Sequence, residues 1–262
     1  MTRTTETAAD AAALPTALRV ADGRAHLDRA WWSWAGPHGG LVAGLCLRAA
    51  VPLLGDRAPR AVTALFLEPA PEGPLALTAT RLREGGASAV VAVTAGSAAV
   101  ATVVGGRARG TSAVSRVPAP VVPPPEQCPD LALPVEFVPF SQHFAFRPAT
   151  AARPLAGGDE PELVAWVRLV DDAPLDAAAL VVLTDVLPPA LYGATAVPVP
   201  VPTVELQVSL TGAPVASGWV LLRISTRSAA GGWCVDDSEV WDREGRLLAQ
   251  ARQTRRVLGE WA

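Results

Sequence analysis

The sequence predicts an α+β fold: two tandem units, each an antiparallel sheet wrapped round one buried helix. Three observations carry that prediction. Segments Leu41–Leu54 and Leu175–Leu187 are apolar on nearly every side but too short to cross a membrane, so each reads as a helix buried all round. Each is followed by four stretches in which apolar residues recur at every second position, the mark of strands joined by short turns. The order then repeats: Gly85-Gly86 falls on Gly231-Gly232 (231 − 85 = 146) and Thr63 on Thr203 (203 − 63 = 140), a spacing that means a duplicated domain rather than a solenoid. A helix without a polar face needs a sheet curled around it. Two such units side by side can merge their sheets, so that each loses an exposed edge.

The elements follow in order. Residues 1–16 are small and polar and are expected to be a disordered tail. The first unit, 17–110, opens with Ala17–Val20 and Arg24–Leu27 flanking Asp22-Gly23, a hairpin signal. After Trp31, Trp32 and Trp34, the cluster Gly36-Pro37-His38-Gly39-Gly40 leads into the first helix, whose regular part is expected to end before Pro52. Strands are predicted at Val62–Leu67, Leu75–Leu82, Ser88–Thr94 and Ala98–Val104. Residues 111–140 are a Pro-rich linker, with Pro118, Pro120, Pro123, Pro124, Pro125, Pro129 and Pro134 crowded into it. The second unit, 141–262, has strands at Phe144–Arg147 and Leu163–Leu169, then the helix Leu175–Leu187, capped by Asp176 and stopped by Pro188-Pro189. Strands Val204–Leu210, Trp219–Thr226, Trp233–Asp242 and Leu247–Val257 complete it.

Composition excludes several functions. With 50% hydrophobic and 18% charged residues in 262, the chain has ample material for a core. Its net charge of −3 argues against a nucleic-acid binder, and every basic residue is Arg. The three cysteines are far apart with no CxxC, so neither a disulfide framework nor a zinc site is expected. No long apolar run follows the N-terminus, where Glu6 and Asp10 stand, and none reaches membrane-spanning length; a soluble cytoplasmic protein without a membrane partner is expected. His26, His38 and His143 are too dispersed for a metal site, there is no GxSxG elbow, and Gly105–Gly110 is Gly-rich but sits at a strand end before the linker. No cofactor is expected.

Asp185 is the most informative residue. It lies near the C-terminal end of an apolar helix, where the dipole disfavours a negative charge by about 0.3–1 kcal/mol. Burial adds a desolvation cost, and no basic residue is near in sequence. Such a residue is a functional candidate; the plainer alternative is an Asp that turns to solvent or bonds a loop amide. The first helix has no acid in the matching place and offers Gly39, Gly40 and Leu41 instead, whose amides at a helix start can hold a developing oxyanion. Tight helix packing is the alternative for those glycines. His38 reads as a packing or loop residue, the Trp31, Trp32 and Trp34 cluster as core more than channel lining, and Arg81, Arg83, Arg107 and Arg109 as scattered surface charges.

The run Gly36-Pro37-His38-Gly39-Gly40-Leu41-Val42, then Leu65-Phe66-Leu67-Glu68-Pro69 with Glu72-Gly73-Pro74, then Leu183–Pro189, Pro202-Thr203-Val204-Glu205 and Trp241–Gln253 together resemble the double-hotdog thioesterase-like superfamily, close to the type II acyl-CoA thioesterases. The likeness spans about residues 18–258. It implies two hotdog units and a hydrolase for acyl-CoA or acyl-carrier thioesters, with one site per chain at the seam between the halves. In that family an aspartate, a Thr or Ser, and a Gln hold the attacking water. Asp185, Thr203 and Gln253 match those positions, although Thr203 has a counterpart in Thr63 and Gln250 is a rival for Gln253. No Asp-to-His pair stands at the short spacing of hotdog hydratases. The other reading is a non-catalytic double-hotdog module that binds acyl-CoA or another hydrophobic ligand. Hotdog sheets often pair with a second copy, so a homodimer is expected.

Overall fold

In the computed structural model, which describes residues 13–110, 114–212 and 217–260, eleven strands form one antiparallel sheet. The first half contributes β1 (Arg24–Leu27), β2 (Ala58–Phe66), β3 (Gly73–Glu84), β4 (Ser88–Ala95) and β5 (Ala99–Gly106). The second half contributes β6 (Phe144–Pro148), β7 (Glu162–Leu169), β8 (Thr203–Leu210), β9 (Val220–Ala230), β10 (Trp233–Trp241) and β11 (Leu247–Arg256). Their spatial order is β1-β3-β4-β5-β2-β8-β11-β10-β9-β7-β6. Read outward from the centre, β2, β5, β4, β3 and β1 mirror β8, β11, β10, β9 and β7, so the duplication seen in the sequence is a structural pseudo-symmetry. Gly85-Gly86 and Gly231-Gly232 occupy the matching β3–β4 and β9–β10 turns.

The halves merge where β2 pairs with β8, from Ala61 opposite Ser209 to Leu65 opposite Glu205. Period-two patterning sends Val62, Ala64, Leu206 and Val208 to the inner face, where all four are buried. Across that face lie the helices α2 (Gly39–Leu54) and α3 (Ala177–Leu183). Every residue of α2 from Gly40 to Leu47 is buried, as is every residue of α3 from Ala178 to Leu183, which is why neither helix shows a polar stripe. Asp176 caps α3 as predicted, its Oδ1 accepting from the amides of Ala178 and Ala179 at 3.0 Å each. No helix among the described residues is long and apolar enough to cross a membrane.

The structure corrects four sequence-based expectations. The predicted hairpin keeps its turn, with φ of 49° at Asp22 and 68° at Gly23, but not its first arm. Leu14–Ala17 instead forms the short helix α1, because Leu14, Ala17 and Leu18 all bury against the core. Residues 14–16 are therefore ordered rather than tail; 1–12 lie outside the described residues. Pro52 sits inside α2, in its last turn and on the exposed side, where only the end of the hydrogen-bond ladder is interrupted. Helix α3 stops at Leu183, well short of Leu187. Thr184 Oγ1 bonds back to the Val181 carbonyl at 2.7 Å, and Pro188 and Pro189 have no N–H for the carbonyls of Thr184 and Asp185.

The linker, expected at 111–140, is described from Val114 on, where it is a strap over the outer face of the second half. Val117, Ala119 and Val122 pack on a cluster containing Trp166, Leu221 and Trp241. The Trp166 and Trp241 indoles donate to the carbonyls of Pro123 (2.9 Å) and Val117 (3.0 Å). Leu131 bridges to Phe146 on β6, and Phe140 enters the main core.

Candidate active site

Asp185 follows directly on α3, and its side chain crosses to the first half. The start of α2 approaches α3 so closely that a Cβ on Gly40 would lie 3.0 Å from the Asp185 Cβ and 3.0 Å from the Val182 carbonyl. That approach lets Asp185 Oδ2 accept the Gly40 N–H at 2.8 Å. The carboxylate that the C-terminal end of its own helix disfavours is thus taken up by the positive N-terminal end of the neighbouring one. Its side chain is only 10% exposed. The amide bond of the plainer alternative is real, and it lies at the junction of the halves.

His38 completes the clasp. It is 1% exposed and is the N-cap of α2: Nδ1 accepts the Leu41 N–H at 3.1 Å and Nε2 donates to the Asp185 carbonyl at 2.9 Å. Burial holds its imidazole pKa below the ordinary value; the Asp185 charge opposes that shift, and Arg255 adds to it. His38 is therefore a structural member of the site, more than the packing or loop residue the sequence suggested.

The opposite wall is the inner face of the last strands. On β11, Ala249, Ala251, Gln253 and Arg255 point inward while Gln250 and Arg252 point outward, so strand parity puts Gln253 and not Gln250 on the inner face. Gln253 is fully buried, and its Oε1 accepts from Thr203 Oγ1 at 2.8 Å; its buried Nε2 has no partner among the described residues. Of the three residues matched to the attacking-water set, Thr203 and Gln253 are brought together. Among the described residues, no hydrogen bond joins Asp185 to either.

Asp185 has a partner the sequence reading missed. Arg255, 5% exposed, places Nη2 3.5 Å from Asp185 Oδ1, and its Nη1 reaches the Val201 carbonyl at 3.4 Å. Its Nε lies 3.0 Å from Oδ2 of the fully buried Asp236, close enough for an ion pair though without hydrogen-bond alignment. Thr226 Oγ1 donates to Asp236 Oδ1 at 2.7 Å. Nearby, burial and the Asp236 charge push the Cys234 thiol up to about 12, against the pull of Arg255. Parity could have turned these residues inward, though not paired them: Asp236 shares its phase with Cys234 and Val240, and Arg255 shares its phase with Gln253.

The candidate oxyanion amides need correcting. The Gly40 N–H is committed to Asp185 and the Leu41 N–H to His38, because a helix start satisfies its free donors with whatever acceptors surround it. Only the Gly39 N–H makes no hydrogen bond among the described residues. The indole of Trp31 stacks on the His143 ring at 4.1 Å within the core, Trp32 is buried, and Trp34 is exposed. Of the four scattered arginines, Arg81 and Arg107 pair with Glu84 and Asp56 at the surface. Two hollows, the smaller of them apolar, adjoin Leu131 and Leu133 of the strap. One, of about 20 Å³, includes Leu187 and Pro188, close after Asp185; the other, of about 290 Å³, shares Leu131, Leu133 and Phe146 with it.

Comparison with known proteins bears on the fold and the family. The family description Acyl-CoA thioesterase N-terminal domain matches residues 28–109, and Acyl-CoA thioesterase C-terminal domain matches residues 125–257. None of the curated proteins compared with the chain matches it. A conserved hot dog protein of unknown function from Alicyclobacillus acidocaldarius is similar at 25% identity with a TM-score of 0.87, covering 94% of this chain and 98% of its own. A candidate thioesterase from Novosphingobium aromaticivorans is similar at 28% identity and a TM-score of 0.81, over 94% and 99%. The acyl-CoA thioesterase II of Mycobacterium marinum shares the fold at 19% identity and a TM-score of 0.72, over 95% and 99%. With both tandem domains matched in order, each on one half of a double-hotdog sheet, the chain belongs to the acyl-CoA thioesterase family.

Proposed function

We propose that the protein hydrolyses acyl-CoA or acyl-carrier thioesters by general-base activation of water, at one site per chain between its halves. The observation that carries the reading is Asp185: a carboxylate of the second half held almost out of solvent against the helix start of the first. Water gives its proton to Asp185 as its oxygen attacks the thioester carbonyl. The charge that develops on the carbonyl oxygen can be met by the uncommitted Gly39 N–H, while Gln253, whose Oε1 Thr203 holds, has its Nε2 free to orient the water. When the C–S bond breaks, the thiolate takes the proton back from Asp185, so water and thioester become acid and thiol. The chemistry itself requires no redox step, because a thioester is already an activated acyl group.

The pseudo-symmetry supports a single site. Nine residues beyond the α3 cap, Asp176, stands Asp185; nine beyond the α2 cap, His38, stands Leu47, which is core. At that end Asp176 caps its own helix and pairs with Arg48 of α2. Asp185→Asn is expected to lower thiol release from a series of acyl-CoAs by about 10²–10⁴-fold, while Arg48→Ala leaves it unchanged. Full turnover in Asp185→Asn would end this mechanism. Saturable acyl-CoA binding by the wild type with no thiol release would leave the non-catalytic binding module in its place.

A further inference from the structure

We propose that Arg255, steadied by Asp236, is a positioning residue that fixes the carboxylate of Asp185. The inference deepens the reading of Asp185 as the general base and rests on it. The guanidinium is engaged on three sides: Asp236 Oδ2 at its Nε, the Val201 carbonyl at Nη1 and Asp185 Oδ1 at Nη2. A planar fork held at three points cannot rotate without giving up one of them. Thr226 holds the far end in place through Asp236 Oδ1. Asp236 is fully buried on β10, beside the Nε of Arg255. Its role there is to neutralise and aim Arg255.

Asp185 is then gripped from both halves of the molecule. The first half holds Oδ2 through the Gly40 N–H at 2.8 Å, with His38 Nε2 3.7 Å from the same oxygen. The last strand of the second half holds Oδ1 through Arg255. Two fixed oxygens set the plane of the carboxylate, and with it the direction from which a water can be deprotonated. Small errors in that direction cost rate rather than binding.

Arg255→Gln alone would leave Asp236 buried and unpaired, so the informative variant is Arg255→Gln with Asp236→Asn, which removes both charges together. It is expected to melt within about 5 °C of the wild type and to lose about tenfold or more in kcat, with KM within about twofold. Arg255→Lys, which keeps the charge and loses the fork, recovers part of kcat. Should the double variant fail to fold, Arg255→Lys and Asp236→Asn singly carry the same expectation of a smaller kcat loss at constant KM. Wild-type kcat in the folded double variant, with Asp185→Asn inactive, would overturn the inference and leave the general-base reading standing. Full activity in Asp185→Asn would remove the base reading itself. A cycle that needs no turnover then decides the pairing: on the Asp236→Asn background, the Tm changes from Asp185→Asn and Arg255→Gln are expected to be non-additive. Additive changes would overturn the pairing.

Discussion

His38 does two things with one tautomer. Since Nδ1 accepts the Leu41 N–H, the proton resides on Nε2, which donates to the Asp185 carbonyl. Protonation would put a second hydrogen where the cap needs a lone pair. Burial lowers the folded-state pKa below the ordinary value of about 6.5. The sign follows: unfolded chains bind the proton first as pH falls, so this residue's stabilisation is complete above about 6.5 and is lost as pH drops through the folded value. His143, also lowered by burial, acts in the same direction. His38→Asn keeps a cap acceptor without a titrating ring; Tm measured from pH 7.5 to 5 is expected to fall less steeply in that variant than in the wild type. Asp185 was legible in the sequence because an acid among apolar residues is conspicuous without any neighbour. Arg255 and His38 were not, because their significance lies in contacts 70 and 147 residues away.

The same distinction holds for the elements. Caps and breakers act locally, so Asp176, Gly39 and the prolines after Leu187 marked both helices. Beyond the end of α3 the Asp185 carbonyl, which the prolines leave without a helical partner, is taken by His38, a long-range contact, and the helix is shorter than its apolar run. The close approach of α2 to α3 was likewise visible only as glycines, and at Gly40 the two helices do pack tightly. There an added methyl meets His38 Cε1 at 2.9 Å, the Asp185 Cβ at 3.0 Å and the Val182 backbone carbonyl at 3.0 Å, none of them the far end of a flexible chain. Gly40→Ala is expected to cost about 1–3 kcal/mol of stability and to lower turnover by displacing Asp185. Gly86→Ala, in a turn where nothing lies within 4 Å of the new methyl, serves as the neutral control. Denaturant midpoints and thiol-release rates on both variants check this, and a Gly40→Ala protein as stable as the control would contradict it.

At the scale of the molecule, the duplication was readable because hydrophobic period and turn glycines recur in both halves. The sheet order was not, since nothing in a strand names its neighbour; only the need to cover an edge suggested the merger at β2 and β8. A continuous sheet with α2 packed on α3 makes the halves one cooperative unit, so calorimetry is expected to record a single unfolding transition. Two resolved transitions would show that the seam is weaker than its hydrogen bonding implies. That seam also bears on synthesis. A nascent chain that has emerged only as far as residue 110 holds β2 with its central row of amides and carbonyls bare, because β8 lies almost a hundred residues further on. Until the remainder leaves the ribosome, the partly made polypeptide carries an adhesive flank that invites β-pairing with its siblings.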